Sequence, residues 1–60
     1  MTSIYTIGDR IDLGYPVTLD HDGSTFALGT YPTLEEALSV IEWTSAEYAV
    51  TDYIITDANA

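Results

Sequence analysis

The segment Asp20-His21-Asp22-Gly23 has the residue types that come nearest to metal-ligand chemistry in this sequence. An imidazole between two carboxylates could hold a divalent cation, but Asp20 and Asp22 would point to the same side only if a strand continued through both. The spacing is also too compact for a calcium-binding loop. Because Asp22-Gly23 is explained by a tight turn alone, we predict a turn here, with no bound metal and no other cofactor.

Catalytic arrangements have still less support. Ser24, His21 and Asp22 supply the three residue types of a hydrolytic triad, but they fall on one tight turn with no evident oxyanion hole. Paired carboxylates for acid–base catalysis need a concave pocket that raises the pKa of one of them, and a chain of 60 residues has little volume for such a pocket. The sequence therefore predicts a protein that is not an enzyme.

The charge balance limits the classes of partner. Ten Asp and Glu residues face a single cationic residue, Arg10, and the formal net charge is -9. Each contact with a phosphate needs a cationic side chain, so direct binding to nucleic acid or to an anionic membrane is disfavoured, and a basic protein surface is the expected partner. The amino-terminal residues lack the pattern of a signal peptide, and no apolar run approaches the ~20 residues of a membrane span. We therefore expect a cytoplasmic protein.

Residues 1–60 are expected to fold as one domain. Hydrophobic residues make up 47% of the chain, which is too high for a disordered polymer, and the absence of cysteine excludes disulfides. Alternating residues on both sides of Asp22-Gly23 predict a β-hairpin over residues 15–28, with one apolar and one mostly polar face. The predicted opposing pairs are His21 with Ser24, Asp20 with Thr25, Leu19 with Phe26, Thr18 with Ala27, and Val17 with Leu28.

A helix is predicted to follow the hairpin. Thr33 and Glu36 fit a capping box, and the helix should run from Leu34 to about Thr44. Strands are predicted at 4–7, resuming at 11–13, and at 48–56. These elements give an α+β fold of β-β-β-α-β order, in which one helix packs on one face of a three- or four-stranded antiparallel sheet. The expected core is Val17, Leu19, Phe26, Leu28, Leu34, Leu38, Ile41 and Ile54.

The outward face of the predicted helix carries Glu35, Glu36 and Trp43, with Glu42 on its flank. Trp43 has two interpretations. It is an exposed aromatic anchor beside carboxylates, or the helix ends before it and the side chain folds back over the small core. The second interpretation is favoured, because aromatic residues supply much of the burial in domains of this size.

The carboxylates could imitate some of the phosphates of DNA. A compact chain of this length is about 27 Å across, and duplex DNA carries roughly 16 phosphates over that distance. Same-face residues on a strand are ~6.8 Å apart, close to the phosphate spacing along one DNA strand. Asp20 with Asp22, or Glu35 with Glu42, could therefore replace a few phosphates.

The sequence resembles the small, acidic, lysine-poor proteins that phages and mobile elements encode, including anti-CRISPR proteins and DNA mimics. The resemblance covers the whole chain in length and charge and rests on no shared motif. The resemblance implies a monomeric inhibitor that blocks the basic DNA-binding surface of a nucleic-acid-handling protein such as a CRISPR effector subunit. The alternative is an acidic accessory module whose partner has no DNA-binding cleft. The predicted partner-binding residues are Glu35, Glu36, Glu42, Trp43, Asp20 and Asp22.

Overall fold

Five segments of regular structure follow one another in the computed structural model, which describes residues 2–59. Their order is the predicted β-β-β-α-β, and the α+β class is confirmed. The elements are β1 (Ser3–Ile7), β2 (Tyr15–His21), β3 (Ser24–Tyr31), α1 (Leu34–Glu47) and β4 (Tyr53–Asp57). Within residues 2–59 no helix has both the length and the apolar character needed to cross a membrane.

The four strands form one sheet in the order β3-β2-β1-β4. β2 is antiparallel to β1 and to β3, but β4 is parallel to β1, so the prediction of an entirely antiparallel sheet is wrong for this pair. The reason is the helix between β3 and β4. It returns the chain to the end of the sheet where β3 began, so β4 runs in the same direction as β3 and β1.

The hairpin of β2 and β3 forms around the predicted turn. Asp22 and Gly23 both have positive φ, 52° and 82°, as a two-residue turn of this kind requires. The four pairs nearest the turn match the prediction. The fifth does not, because the register shifts between Val17 and Thr18, so that Val17 lies opposite Gly29 and not Leu28. One extra residue on β3 makes this irregularity a β-bulge.

Helix α1 begins at its predicted cap, where the Thr33 hydroxyl accepts a hydrogen bond from the Glu36 backbone N–H at 3.1 Å. It continues to Glu47, three residues beyond the predicted end at Thr44. Thr44 and Ser45 belong to the helix and are buried. The Ser45 hydroxyl donates to the Ile41 carbonyl oxygen at 2.8 Å, so this polar side chain is satisfied within the helix.

Two predicted strand boundaries are wrong. The last strand begins at Tyr53 and not at residue 48, because the chain leaves the helix through a turn in which the Val50 N–H donates to the Ser45 carbonyl. Residues 11–13 do not resume a strand. Ile11 and Gly14 instead exchange two backbone hydrogen bonds across a tight turn, which forms an isolated bridge.

The core lies between α1 and the sheet. Of the predicted core residues, Val17, Leu19 and Ile41 are buried, and Leu28 and Leu34 pack partly buried against them. The other three predictions are wrong, since Phe26 is on an edge strand, Leu38 is on the helix flank and Ile54 is on the sheet face away from the helix. The remaining buried hydrophobic residues, which the sequence did not identify, are Tyr5, Ile7 and Ala37.

Replacing Thr33 with alanine should reduce the free energy of unfolding by about 1 kcal/mol, because the Glu36 N–H loses its partner. Chemical denaturation measures this as a lower midpoint. Thr51→Ala, at an exposed loop position, is the control and should leave the midpoint nearly unchanged. Equal midpoints for Thr33→Ala and the native chain would contradict the role of this cap.

Gly14→Ala should destabilise the protein far more than Gly23→Ala. Both glycines have positive φ, so both substitutions strain the backbone by roughly 1–3 kcal/mol. At position 14 the added Cβ would also lie 2.1 Å from the Tyr31 carbonyl oxygen, whereas at position 23 it would meet nothing within 4 Å. The difference between the two denaturation midpoints therefore measures this close approach, and equal midpoints would argue against it.

Candidate functional site

Trp43 lies on the outer face of α1 with 64% of its surface exposed. The helix continues for four residues beyond it, to Glu47. The interpretation in which the helix ends before Trp43 and the side chain covers the core is therefore wrong. Burial in the core does not account for this tryptophan.

Exposed carboxylates surround Trp43 on the helix. Glu36 and Glu47 lie within ~40° of it around the helix axis, about 10.5 Å and 6 Å away along that axis. Glu35 and Glu42 form a second row, ~80–100° from Trp43 around the axis. Glu47 was not predicted on this surface, because the predicted helix ends at Thr44. We call Glu35, Glu36, Glu42, Trp43 and Glu47 the helix surface.

The two aspartates of the hairpin do not belong to the helix surface. Asp20 alternates along β2 with Leu19, which is buried under α1, so its side chain lies on the opposite face of the sheet. There its carboxylate accepts a hydrogen bond from the Thr25 hydroxyl at 2.5 Å. Strand β2 ends at His21, so Asp22 does not continue the strand alternation from Asp20. The six residues predicted to bind a partner thus lie on separate parts of the molecule.

Nearly all the acidic side chains face solvent. Nine of the ten are exposed and the tenth, Asp57, is partly buried. Arg10 lies in the loop between β1 and β2, where its guanidinium is 6.0 Å from the centroid of the Tyr15 ring. This loop is at the opposite end of the sheet from the Asp22-Gly23 turn. Among the described residues, the one cationic side chain therefore lies at one end of the sheet, whereas acidic side chains lie at both ends.

His21 is held by a buried serine. Its Nδ1 lies 2.6 Å from the Ser3 hydroxyl oxygen, and Ser3 is only 1% exposed. A hydroxyl this buried is not positioned to attack a substrate, so the pair does not form a nucleophilic site. Its hydrogen bond instead joins the start of β1 to the end of β2. Within residues 2–59 there is no group of three or more side chains arranged to bind a metal ion.

An apolar groove of about 580 Å³ opens between the carboxyl end of α1 and the hairpin of β2 and β3. Two of its aromatic residues are largely exposed: Phe26 at 49% and Tyr48 at 72%. The sequence analysis assigned Phe26 to the core and Tyr48 to a strand, and it therefore missed the groove. The lining residues are Leu19, His21, Phe26, Ala27, Leu28, Thr44, Tyr48 and Val50.

Comparison with family models, with curated proteins and with solved structures finds no match to this chain. The case for a function therefore depends on the chain's own geometry, which offers two features. One is the acidic helix surface with its exposed tryptophan, and the other is the apolar groove.

Tryptophan fluorescence tests the exposure of Trp43. The free protein should emit near the wavelength of indole in water, and iodide should quench the emission readily, because most of the side chain meets solvent. Trp43→Ala should leave the denaturation midpoint nearly unchanged, while Ile41→Ala, on the buried face of the same helix, should lower the free energy of unfolding by about 2–5 kcal/mol. A blue-shifted, protected emission would place Trp43 in the core.

Proposed function

We propose that this protein is a non-enzymatic acidic inhibitor that mimics the charge of nucleic acid and blocks the DNA-binding surface of a nucleic-acid-handling protein. The target class includes CRISPR effector subunits, and an anti-CRISPR protein encoded by a phage fits this proposal. The observation that carries it is the exposed Trp43 among the glutamates of the helix surface. An acidic surface alone aids solubility, whereas tryptophan is among the residue types most enriched at binding hot spots.

The chemistry of the helix surface suits lysine and arginine. Carboxylates accept charge-assisted hydrogen bonds from both, and bind arginine through two parallel bonds. The face of an exposed indole attracts a cation by about 0.5–1 kcal/mol, and more when water is excluded. The net charge of -9 speeds the encounter with a basic cleft by electrostatic steering.

The mimicry is of charge density more than of phosphate positions. The molecule is 32 Å long, a distance over which duplex DNA carries roughly 19 phosphates against the protein's ten carboxylates. Glu35 and Glu42 are ~10.5 Å apart along the helix axis, about three times the ~3.4 Å by which successive phosphates of one strand are separated along the duplex axis. A target that binds a short duplex segment is therefore the best fit.

The second candidate function is an acidic accessory module whose partner has no DNA-binding cleft. The separation of Asp20 from the helix surface favours it, because carboxylates on opposite faces cannot enter one cleft together. The two candidates share a basic partner, and they differ in whether DNA competes for it.

Competition with DNA distinguishes the two functions. The immobilised protein should capture a basic partner from a bacterial lysate at low salt. Excess duplex DNA should release that partner, and rising salt should weaken both interactions, because both depend on the same cations. Capture that excess DNA does not reverse would favour the accessory module.

A pair of charge-matched variants locates the contact. Glu42→Gln with Glu47→Gln removes two carboxylates from the helix surface, and Asp9→Asn with Asp12→Asn removes two from the loop between β1 and β2. Only the first pair should reduce capture at low salt by more than about tenfold, because general charge effects are equal in both. An equal reduction by both pairs would indicate non-specific attraction.

A further inference from the structure

The apolar groove lies next to the helix surface on the same flank of α1. Around the helix axis Glu47 is ~40° from Trp43, and groove-lining Thr44 is ~100° from Trp43 in the same direction. Glu47 therefore stands between the exposed tryptophan and the groove. A partner that covers the helix surface on this side also reaches the groove.

Acidic residues adjoin the groove-lining residues along the chain. Asp22 follows His21 in the hairpin turn, and Glu47 precedes Tyr48 at the end of the helix. Asp52 lies two residues after Val50, and its carbonyl oxygen accepts a hydrogen bond from the N–H of Ser3, whose hydroxyl contacts His21. Three acidic residues thus lie within two positions of a lining residue in sequence, on three separate segments, and all three are exposed.

We propose that this groove binds one large apolar side chain of a basic partner segment, with lysine or arginine on either side of that side chain paired to Asp22 and Glu47. The inference rests on the proposed function only in requiring a basic partner. Charge complementarity selects this occupant, because an apolar groove on a protein with exposed acidic side chains and a net charge of -9 matches an apolar residue flanked by cations. A second copy of the chain would bring a charge of -9 against another -9.

The size of the groove suits a single anchor. Its volume of about 580 Å³ lies within the ~300–1,000 Å³ typical of pockets that enclose small ligands, which is ample for one aromatic side chain. The exposed rings of Phe26 and Tyr48 supply apolar surface that such an anchor would remove from water. An apolar centre inside a polar rim is the arrangement in which binding energy concentrates.

A short oligolysine peptide with one central phenylalanine tests the proposal at low salt, with fluorescence anisotropy as the measurement. The native protein should bind it at least about tenfold more tightly than the same peptide with alanine at the centre, the preference expected for burying one such side chain. In NMR spectra the phenylalanine peptide should shift the amide signals of Ala27 and Thr44 more than the alanine peptide does.

Variants of the groove complete the test. Phe26→Ala and Tyr48→Ala should each reduce the preference for phenylalanine severalfold and leave binding of the alanine peptide unchanged. Leu13→Ala is the matched control, because Leu13 is 77% exposed and lies in the loop between β1 and β2, at the other end of the sheet. Circular dichroism confirms that each variant is folded, and the NMR shifts of the native protein provide a measurement that needs no variant.

Each alternative outcome overturns the proposal in a recognisable way. Equal binding of both lysine peptides would show that the groove does not bind the phenylalanine side chain, and it would leave the charge-based function intact. A neutral glycine-serine peptide with the same phenylalanine that bound equally well would show a groove for apolar ligands without a basic partner. A dimer in sedimentation that Phe26→Ala dissolves would identify a second copy as the occupant. Failure of both lysine peptides to bind would contradict the proposed function as well.

Discussion

The buried side chain of Tyr5 in β1 contacts both the helix and the last strand of this small protein. Tyr5 is fully buried in β1, and its hydroxyl forms a 3.0 Å hydrogen bond with the Ser45 hydroxyl of α1, whose own proton goes to the Ile41 carbonyl oxygen. Its ring meets the edge of the Tyr53 ring in β4, with centroids 5.1 Å apart. A neutral hydrogen bond of this kind contributes about 1 kcal/mol, and an aromatic pair contributes about 0.5–1.5 kcal/mol beyond its burial. In a domain of 60 residues these contributions are a large share of the net stability.

The same contact explains where the helix lies. Ser45 contacts Tyr5 because the helix continues past Thr44. The buried polar side chains that face the sheet are not left without partners, since every buried side-chain nitrogen and oxygen atom of the described residues has a hydrogen-bond partner. With Ser45 and Ile41 facing the sheet, the opposite side of the helix must carry Trp43 into solvent. The exposure of the candidate binding residue is thus a consequence of the internal packing.

Sequence reasoning succeeded where the information is local. The hairpin turn at Asp22-Gly23 and the Thr33 cap depend on a few neighbouring residues, and both form as predicted. It failed where distant segments decide the outcome. The importance of Tyr5 follows from β1 lying between β2 and β4, and the exposure of Phe26 follows from β3 lying at an edge, and neither position is visible in a local pattern.

The candidate site divides in the same way. Glu35 and Glu36 were placed on the outer helix face and Glu42 on its flank from their spacing alone, and all three are exposed. Glu47 and the groove needed the true end of the helix, which depends on the buried contact of Ser45. Asp20 was grouped with the helix residues by charge, although charge alone does not say on which face of the sheet a residue lies.

The parallel pairing of β1 with β4 has a consequence for the order of folding. Tyr53 lies beside Ser3, so β1 receives one of its two neighbours from a segment fifty residues further along the chain. Closing so long a loop is slow compared with forming a hairpin, so the hairpin of β2 and β3 and the helix can form first. Until β4 pairs with β1, that strand has one open edge and the Tyr5 ring lacks its aromatic partner. A chain truncated before Tyr53 would thus keep an open edge on β1.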